Sequence, residues 1–220
     1  MSDGMTKTIK IGCPSGFWGD SAIGAIQLTE KADLDYMMLD YLAEVTMSIL
    51  VQARAKDASF GYARDFITGA MNDTLETIAA KKIKVVTNAG GVNPQACAKA
   101  LAALCEKKGL SLKIATVTGD DVLPILGDLA DTERREMFSG EAMPETVVSA
   151  NAYLGAAPVA AALAQGADIV LFSELFVVGY PPEDLVLKPA LQADARAAVE
   201  AFAKETFSGP GVLIGTPWVE

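Results

Sequence analysis

The sequence predicts an α/β fold: a layered, mostly parallel sheet with helices on both faces, Rossmann-like in arrangement. Three observations carry this expectation. Short apolar runs of strand length alternate with stretches of helical period along the chain. Loops rich in Gly, Asn and Asp follow several of those runs, at the sheet edge where such folds bind ligands. The 220 residues are 51% hydrophobic, enough for a sizeable core, and show no repeat and no low-complexity linker.

The elements follow in order. Thr8 to Cys13 reads as a strand, and Ser21 to Lys31 as a helix after a Gly-rich turn. Leu34 to Leu39 reads as a buried strand and Ala43 to Arg54 as a helix; Asp65 to Lys82 is a longer helical stretch feeding the strand Ile83 to Thr87. The next helix has both its ends written in sequence, with Asn93 as N-cap, Pro94 at the first helical position and Gly109 as its stop. Cys97, Leu101 and Cys105, with Ala96, Ala100 and Leu104, recur at four-residue spacing and form one apolar face, so both cysteines are expected in the core. Leu112 to Val117 is a strand and Val122 to Ala130 a short helix. Thr132 to Met143, with Arg134-Arg135-Glu136, fits a solvated connection or a lid. Thr146 to Ala150 reads as a strand, Ala156 to Gln165 as an alanine-rich helix and Asp168 to Phe172 as another strand. Leu191 to Thr206 carries Leu191, Ala195, Ala198, Val199 and Phe202 on one helical face, and Gly211 to Gly215 is a last strand. This alternation predicts parallel strands and leaves their order open.

Charge and composition exclude several classes of function. A net charge of −10 argues against nucleic acid and anionic membranes as partners, because phosphate binding needs clustered Lys and Arg. The basic pairs Lys81-Lys82, Lys107-Lys108 and Arg134-Arg135 are scattered, as solvated helix ends are. No apolar run approaches the ~20 residues of a membrane span, and Met1 to Lys10 has no apolar core of a signal peptide, so a cytoplasmic protein is expected. The three cysteines, Cys13, Cys97 and Cys105, form no C-x-x-C pair, and disulfides are not expected. The absence of histidine removes Ser-His-Asp and Cys-His catalysis and histidine-ligated zinc.

The first loop spaces Gly12, Gly16 and Gly19 as G-x-x-x-G-x-x-G, which is neither the dinucleotide fingerprint nor a P-loop, so no cofactor is identified. Its glycines would let backbone approach a ligand, or simply make a tight turn. The candidate ligand residues are Gly12, Ser15, Gly16, Trp18, Gly19 and Asp20 in and around this loop, Asp40 after the second strand, Asn88, Gly90 and Gly91 after the third, Asp120 after the fourth, and Asn151 and Tyr153. Trp18 and Tyr153 either line the cleft or cover the sheet. Asp20, Asp40, Asp120 and Asp121 could offer oxygens to Mg²⁺, but caps and turns account for them and no metal site is assigned. Cys13, at a strand end, is either a nucleophile with a lowered pKa or a buried structural thiol; no histidine can activate it, and Pro14 removes a nearby amide donor.

Four blocks carry a resemblance: Ile11-Gly12-Cys13-Pro14-Ser15-Gly16-Phe17-Trp18-Gly19-Asp20, Asp35 to Met47, Thr87-Asn88-Ala89-Gly90-Gly91-Val92-Asn93-Pro94, and Ser149-Ala150-Asn151-Ala152-Tyr153-Leu154-Gly155-Ala156. From about Lys10 to Val170 the chain resembles the N-terminal domain of the acyclic terpene utilisation family (AtuA-like). The resemblance implies a place in bacterial catabolism of terpenoids such as citronellol and geraniol, which passes through acyl-CoA thioesters. It also implies that these loops hold a small acyl or CoA-type ligand, and it assigns no catalytic residue.

Beyond Gly166-Ala167-Asp168-Ile169-Val170 the expected continuation of that longer family is replaced. Ala167 to Phe176, Gly179-Tyr180-Pro181-Pro182-Glu183-Asp184-Leu185 and Gly215-Thr216-Pro217-Trp218 resemble the nitrilase-type glutaminase domain of glutamine-dependent NAD synthetase. That resemblance implies a Glu, Lys and Cys triad in which Glu174 matches the base, although Ser173 stands where many relatives carry Pro. The Lys and Cys would lie beyond Glu220, and Cys13 has no motif that could replace that Cys, so Glu174 is expected to be inactive here. The expected division is therefore 1–167 as an incomplete AtuA-like domain and 168–220 as a glutaminase-like piece completing or extending the sheet, by fusion or truncation. Three readings of function follow: a binder of an acyl or CoA-type ligand, a fragment of a glutamine-hydrolysing NAD synthetase, or a non-catalytic structural or interaction fragment. Exposed sheet edges and apolar faces also make a homo-oligomer an expectation.

Overall fold

The computed structural model describes residues 8–129, 135, 139–152, 154–171 and 189–205. Five parallel strands form one sheet in the order β1-β2-β3-β5-β4: β1 Ile11–Ser15, β2 Tyr36–Leu39, β3 Lys84–Thr87, β4 Ile114–Thr116 and β5 Ile169–Leu171. The helices are α1 Ile23–Lys31, α2 Glu44–Lys56, α3 Asn72–Lys81, α4 Pro94–Lys107, α5 Leu126–Leu129, α6 Ala157–Ala164 and α7 Pro189–Glu205. A π-helical turn, Phe66–Met71, leads into α3, and a 3₁₀ turn, Leu123–Ile125, leads into α5. The chain steps from β1 through β3, jumps to the edge for β4, and returns to insert β5, so strand order reverses there.

Alternate residues of each strand divide between two cores. Met37, Leu39, Val85, Ile169 and Leu171 join Ala25 of α1, Leu50 of α2, Leu75 and Ile78 of α3, and Cys97, Leu101 and Cys105 of α4. On the opposite face Val170 packs with Val159 and Leu163 of α6, against Met38, Val86 and Ala115. The expected layered α/β fold with helices on both faces is what forms, and the two α4 cysteines are core residues as their spacing predicts. Burying each large side chain of these strands contributes about 1.5–3 kcal/mol.

β5 shows why its sequence is apolar at every position. It pairs with β3 on one side and β4 on the other, it is covered on both faces, and Ile169, Val170 and Leu171 are each 0% exposed. Asp168, just before it, ties the amino ends of three strands together. Its carboxylate accepts from Lys84 Nζ at 2.6 Å and from the Lys113 amide at 3.0 Å, while its own carbonyl accepts from the Val85 amide at 2.9 Å.

Several boundaries differ from expectation for physical reasons. The first strand runs on to Ser15 rather than ending at Cys13, because Pro14 falls where no ladder amide is needed. The stretch Leu112 to Val117 shortens to Ile114–Thr116, and the short helix after it divides into a 3₁₀ turn and α5. Thr146 to Ala150 is not a strand: it has no buried face to lay on the sheet, for Thr146 and Ser149 are exposed and Val148 is 74% exposed. An isolated antiparallel bridge between Asp121 and Asn151 holds that segment instead. The strand expected at Gly211 to Gly215 lies outside the described residues, as does most of the expected solvated connection before Met143.

Burial pushes the Asp168 carboxyl up, but the Lys113 amide and the Lys84 ammonium outweigh it, so the group titrates below its ordinary 3.8. A depressed folded-state pKa contributes stability that is fully present above that ordinary value and is lost as pH falls through the folded one. Asp168→Asn should therefore lower the unfolding free energy in urea at pH 7 by about 1–3 kcal/mol. The deficit should shrink towards zero as the pH is taken below 3.8. A deficit that stayed constant on acidification would show that the charge of Asp168 is not what matters.

Candidate functional site

Local geometry at the end of β1 creates the site. Gly12 pairs with Met37 and Ser15 with Leu39, so three steps along β1 match two along β2. One residue is extra, which makes a bulge around Cys13 and Pro14. Residues in register in neighbouring parallel strands point the same way, and Met37 and Leu39 both face the α1 side. The bulge thus turns Ser15 to the same side as Gly12, under α1, whereas simple alternation would send it to the other face. Helix α1 approaches closely because Gly24 has no side chain: a Cβ there would stand 2.6 Å from the Pro14 carbonyl oxygen.

Beneath α1 lies a cavity of about 130 Å³ lined by Ser15, Asp20, Ser21, Tyr41, Asp65 and Thr68, with Pro14, Ala22, Ala25, Leu39, Gly69 and Ala70 as its apolar wall. Ser15 is 7% exposed, and its Oγ is buried with no hydrogen-bond partner among the described residues. Opposite it stands the π-helical turn, whose extra residue breaks the 3.6 period between the buried Phe66 and Met71. Gly69 of that turn faces Ala22, since a Cβ on it would lie 3.9 Å from the Ala22 Cβ. Two backbone irregularities, one in a strand and one in a helix, therefore enclose the same space.

The first loop is fixed over this cavity. Asp20 accepts from the Gly16 amide at 3.0 Å and the Ser21 amide at 2.7 Å, and these two bonds hold its carboxyl below the ordinary range. Trp18 Nε1 donates to Asp65 Oδ1 at 2.6 Å, tying the loop to the residue before the π-helical turn. Thr68 Oγ1 donates to the Arg64 carbonyl at 3.2 Å. Burial pushes the Tyr41 phenol upward, so it stays protonated, and its ring packs edge-on against Phe66 at 6.0 Å.

The other expected ligand residues divide into two groups. Asn88 Oδ1 accepts from the Tyr41 amide at 2.7 Å and its Nδ2 donates to Asp40 at 2.6 Å, so this pair locks the loops after β2 and β3 together. Gly91, at φ 55°, has a packing reason: a Cβ there would stand 2.5 Å from Leu50 and 2.6 Å from the Gly61 carbonyl oxygen. Gly90 is buried beside it. Asn93 caps α4 by accepting from the Ala96 amide at 3.3 Å, as expected. Further along the edge, the buried Asp120 accepts from Asn151 Nδ2 at 2.8 Å and so pins the segment leading to α6.

Ser15, Asp20 and, through Asp65, Trp18 are thus brought to one cavity, while Asp40 with Asn88 and Asp120 with Asn151 form separate clamps. Gly12 is buried within the strand, and Gly16 and Gly19 are exposed in the loop. Tyr153 and Glu174 lie outside the described residues. Cys13 departs from the reading as a buried structural thiol, for the bulge leaves it exposed. Partial desolvation, with Asp40 and Asp20 nearby, raises its pKa against a lowering hydrogen bond with the Ser15 backbone. No group of three or more Cys, Asp or Glu among the described residues is placed to hold a metal. Asp65, Thr68 and Gly69 were not expected in the site. Their signal is Gly69 inside a helical run, which costs about 1 kcal/mol against alanine and so asks for a packing reason.

Gly24 gives a signed test of the bulge. Alanine in an open helical position stabilises by up to ~1 kcal/mol over glycine. Gly24→Ala should instead destabilise by about 1–3 kcal/mol, measured by urea unfolding, because its Cβ meets a backbone carbonyl that cannot yield cheaply. A gain in stability would place α1 farther from Pro14 than described.

Comparison with known proteins puts this site inside a family. Residues 9–173 match the acyclic terpene utilisation family protein AtuA. The chain is also 45% identical over 73 residues to the glutamine-dependent NAD(+) synthetase of Rhodobacter capsulatus, a stretch covering 33% of this chain and 13% of that protein. It is 46% identical over 52 residues to the same-named enzyme of Xylella fastidiosa strain Temecula1, and 42% identical over 52 residues to that of Thermotoga maritima; each match covers 9% of the relative and 24% or 23% of this chain. The chain therefore spans no more than 13% of the length of these curated relatives. No solved structure matches it at a significant level. All five strands and every lining residue of the cavity fall within the family match, and the chain belongs to the acyclic terpene utilisation family AtuA.

Proposed function

We propose that this AtuA family chain binds a small acyl ligand of terpenoid catabolism, presented as a CoA-type thioester, with the acyl end inserted into the cavity beneath α1. The observation that carries the reading is Ser15, a residue of the cavity wall whose hydroxyl is buried with no partner among the described residues. A buried hydroxyl without a partner costs free energy that a ligand's polar atom recovers on binding. Pro14, Ala22, Ala25, Leu39 and Ala70 supply apolar contact for a short hydrocarbon end. Asp20 and Asp65 disfavour an anion inside, so the phosphates of a CoA carrier stay beyond the first loop, where Gly16 opens to solvent.

Two thioesters that differ in branching, butanoyl-CoA and 3-methylbut-2-enoyl-CoA, test this by thermal unfolding of the full chain. At a hundredfold excess over Kd, binding adds about 2.7 kcal/mol, several degrees in Tm for a chain of this size. Gly16→Trp should weaken the shift without unfolding the protein, since a side chain there meets nothing within 4 Å. No shift with either thioester would overturn the reading.

Identity to the NAD(+) synthetases favours a second reading, hydrolysis of the glutamine amide, in which Glu174 is the candidate base. The thiols argue against it. Burial pushes Cys97 up to about 12 and also raises Cys105, and Cys13 is raised as well, so none is the readily ionised nucleophile that such hydrolysis needs. Ammonia release from glutamine by this chain should be at background. Release that disappears in Glu174→Ala would establish the second reading.

A further inference from the structure

We propose that the cavity beneath α1 selects a ligand end that carries an alcohol hydroxyl and rejects a carboxylate or phosphate at the same position. For acyl ligands this rests on the binding reading above, and it adds the functional group being recognised. The inference comes from counting what the walls can donate and accept. Ser15 Oγ has its donor and both acceptor positions unused. Each oxygen of Asp20 holds one backbone amide and keeps a further lone pair, and Asp65 uses Oδ1 for Trp18. Thr68 has committed its proton to the Arg64 carbonyl, which leaves it an acceptor towards the cavity. Among the described residues the lining also contains the hydroxyls of Ser21 and Tyr41, and it holds two aspartates and neither lysine nor arginine.

An uncharged group that donates to one of these acceptors and accepts from a wall hydroxyl such as that of Ser15 fits this set. An alcohol does both while uncharged. A carboxylate or phosphate would meet two like charges, and an ammonium cannot accept from Ser15 and would lose water against the apolar half of the wall. Size sets the reach of the inserted end. A closed volume of roughly 150 Å³ holds a benzene-sized group, so about 130 Å³ takes an end of comparable or slightly smaller bulk.

Calorimetric titration of the full chain with 3-hydroxybutanoyl-CoA and butanoyl-CoA, and with free 3-methylbutan-1-ol, 3-methylbutanoate and 3-methylbutan-1-amine, separates the possibilities. The hydroxylated thioester should bind at least about tenfold more tightly than its unsubstituted partner, a preference lost in Ser15→Ala. The free alcohol should bind more tightly than the acid or the amine, and Asp65→Asn should narrow the gap to the acid. Equal binding of the two thioesters would overturn hydroxyl selection and leave the acyl reading standing. Binding of the alcohol without either thioester would uphold hydroxyl selection and remove the acyl reading. Tighter binding of the acid or the amine would overturn the selection, and no binding of any probe would overturn both.

Discussion

One extra residue in β1 determines where the chemistry of this protein can lie. Because Gly12 and Ser15 are set against Met37 and Leu39, the strand gains a residue at the bulge, and a hydroxyl that alternation would place on the far face comes to rest beneath α1. Proline is suited to such a position because it has no amide to lose from the ladder. Everything around the bulge adapts to it. Gly24 lets the helix pass over the Pro14 carbonyl, Asp20 closes the first loop on its own amides, and the π-helical turn gives the cavity its opposite wall.

The rest of the sheet supplies the rigid support that a small cavity requires. β5 is an interior strand although it comes late in the chain, and the family match ends at residue 173, two residues past it. A division at residue 167 falls immediately before the strand that joins β3 to β4, so the parts on either side of it would share a single sheet. Asp168 makes the same point electrostatically, since it binds Lys84 of β3 and the backbone of Lys113 just ahead of β4. A boundary at residue 167 would thus fall where the sheet is tightly constrained.

Much of this fold was legible in the sequence, and the part that was not has physical causes. Alternation of strand and helix identified the layered sheet, and the Asn93, Pro94 and Gly109 signals identified α4 with its buried cysteines, because local capping and periodicity are short-range properties. Thr146 to Ala150 misled, since β-branched residues favour a strand only where they fit a half-buried surface, and here Thr146 and Val148 are both exposed. Within the site, Ser15, Trp18 and Asp20 could be named because a Gly-rich loop after a first strand marks a ligand edge. Asp65, Thr68 and Gly69 could not, because their approach depends on a π-helical turn fifty residues downstream, and Asn88 proved to be a clamp whose partners come from another loop. Long-range hydrogen bonds of this kind leave no spacing signature.

The central claim is that Ser15 is held ready for a ligand and is not part of the fold's own hydrogen bonding. Urea unfolding of Ser15→Ala beside the parent chain, both without ligand, tests it most directly. Removing a buried hydroxyl that has no partner among the described residues should leave stability unchanged or raise it by up to ~1 kcal/mol. A clear loss of stability would mean that the fold itself uses the Ser15 hydroxyl, and would contradict the account.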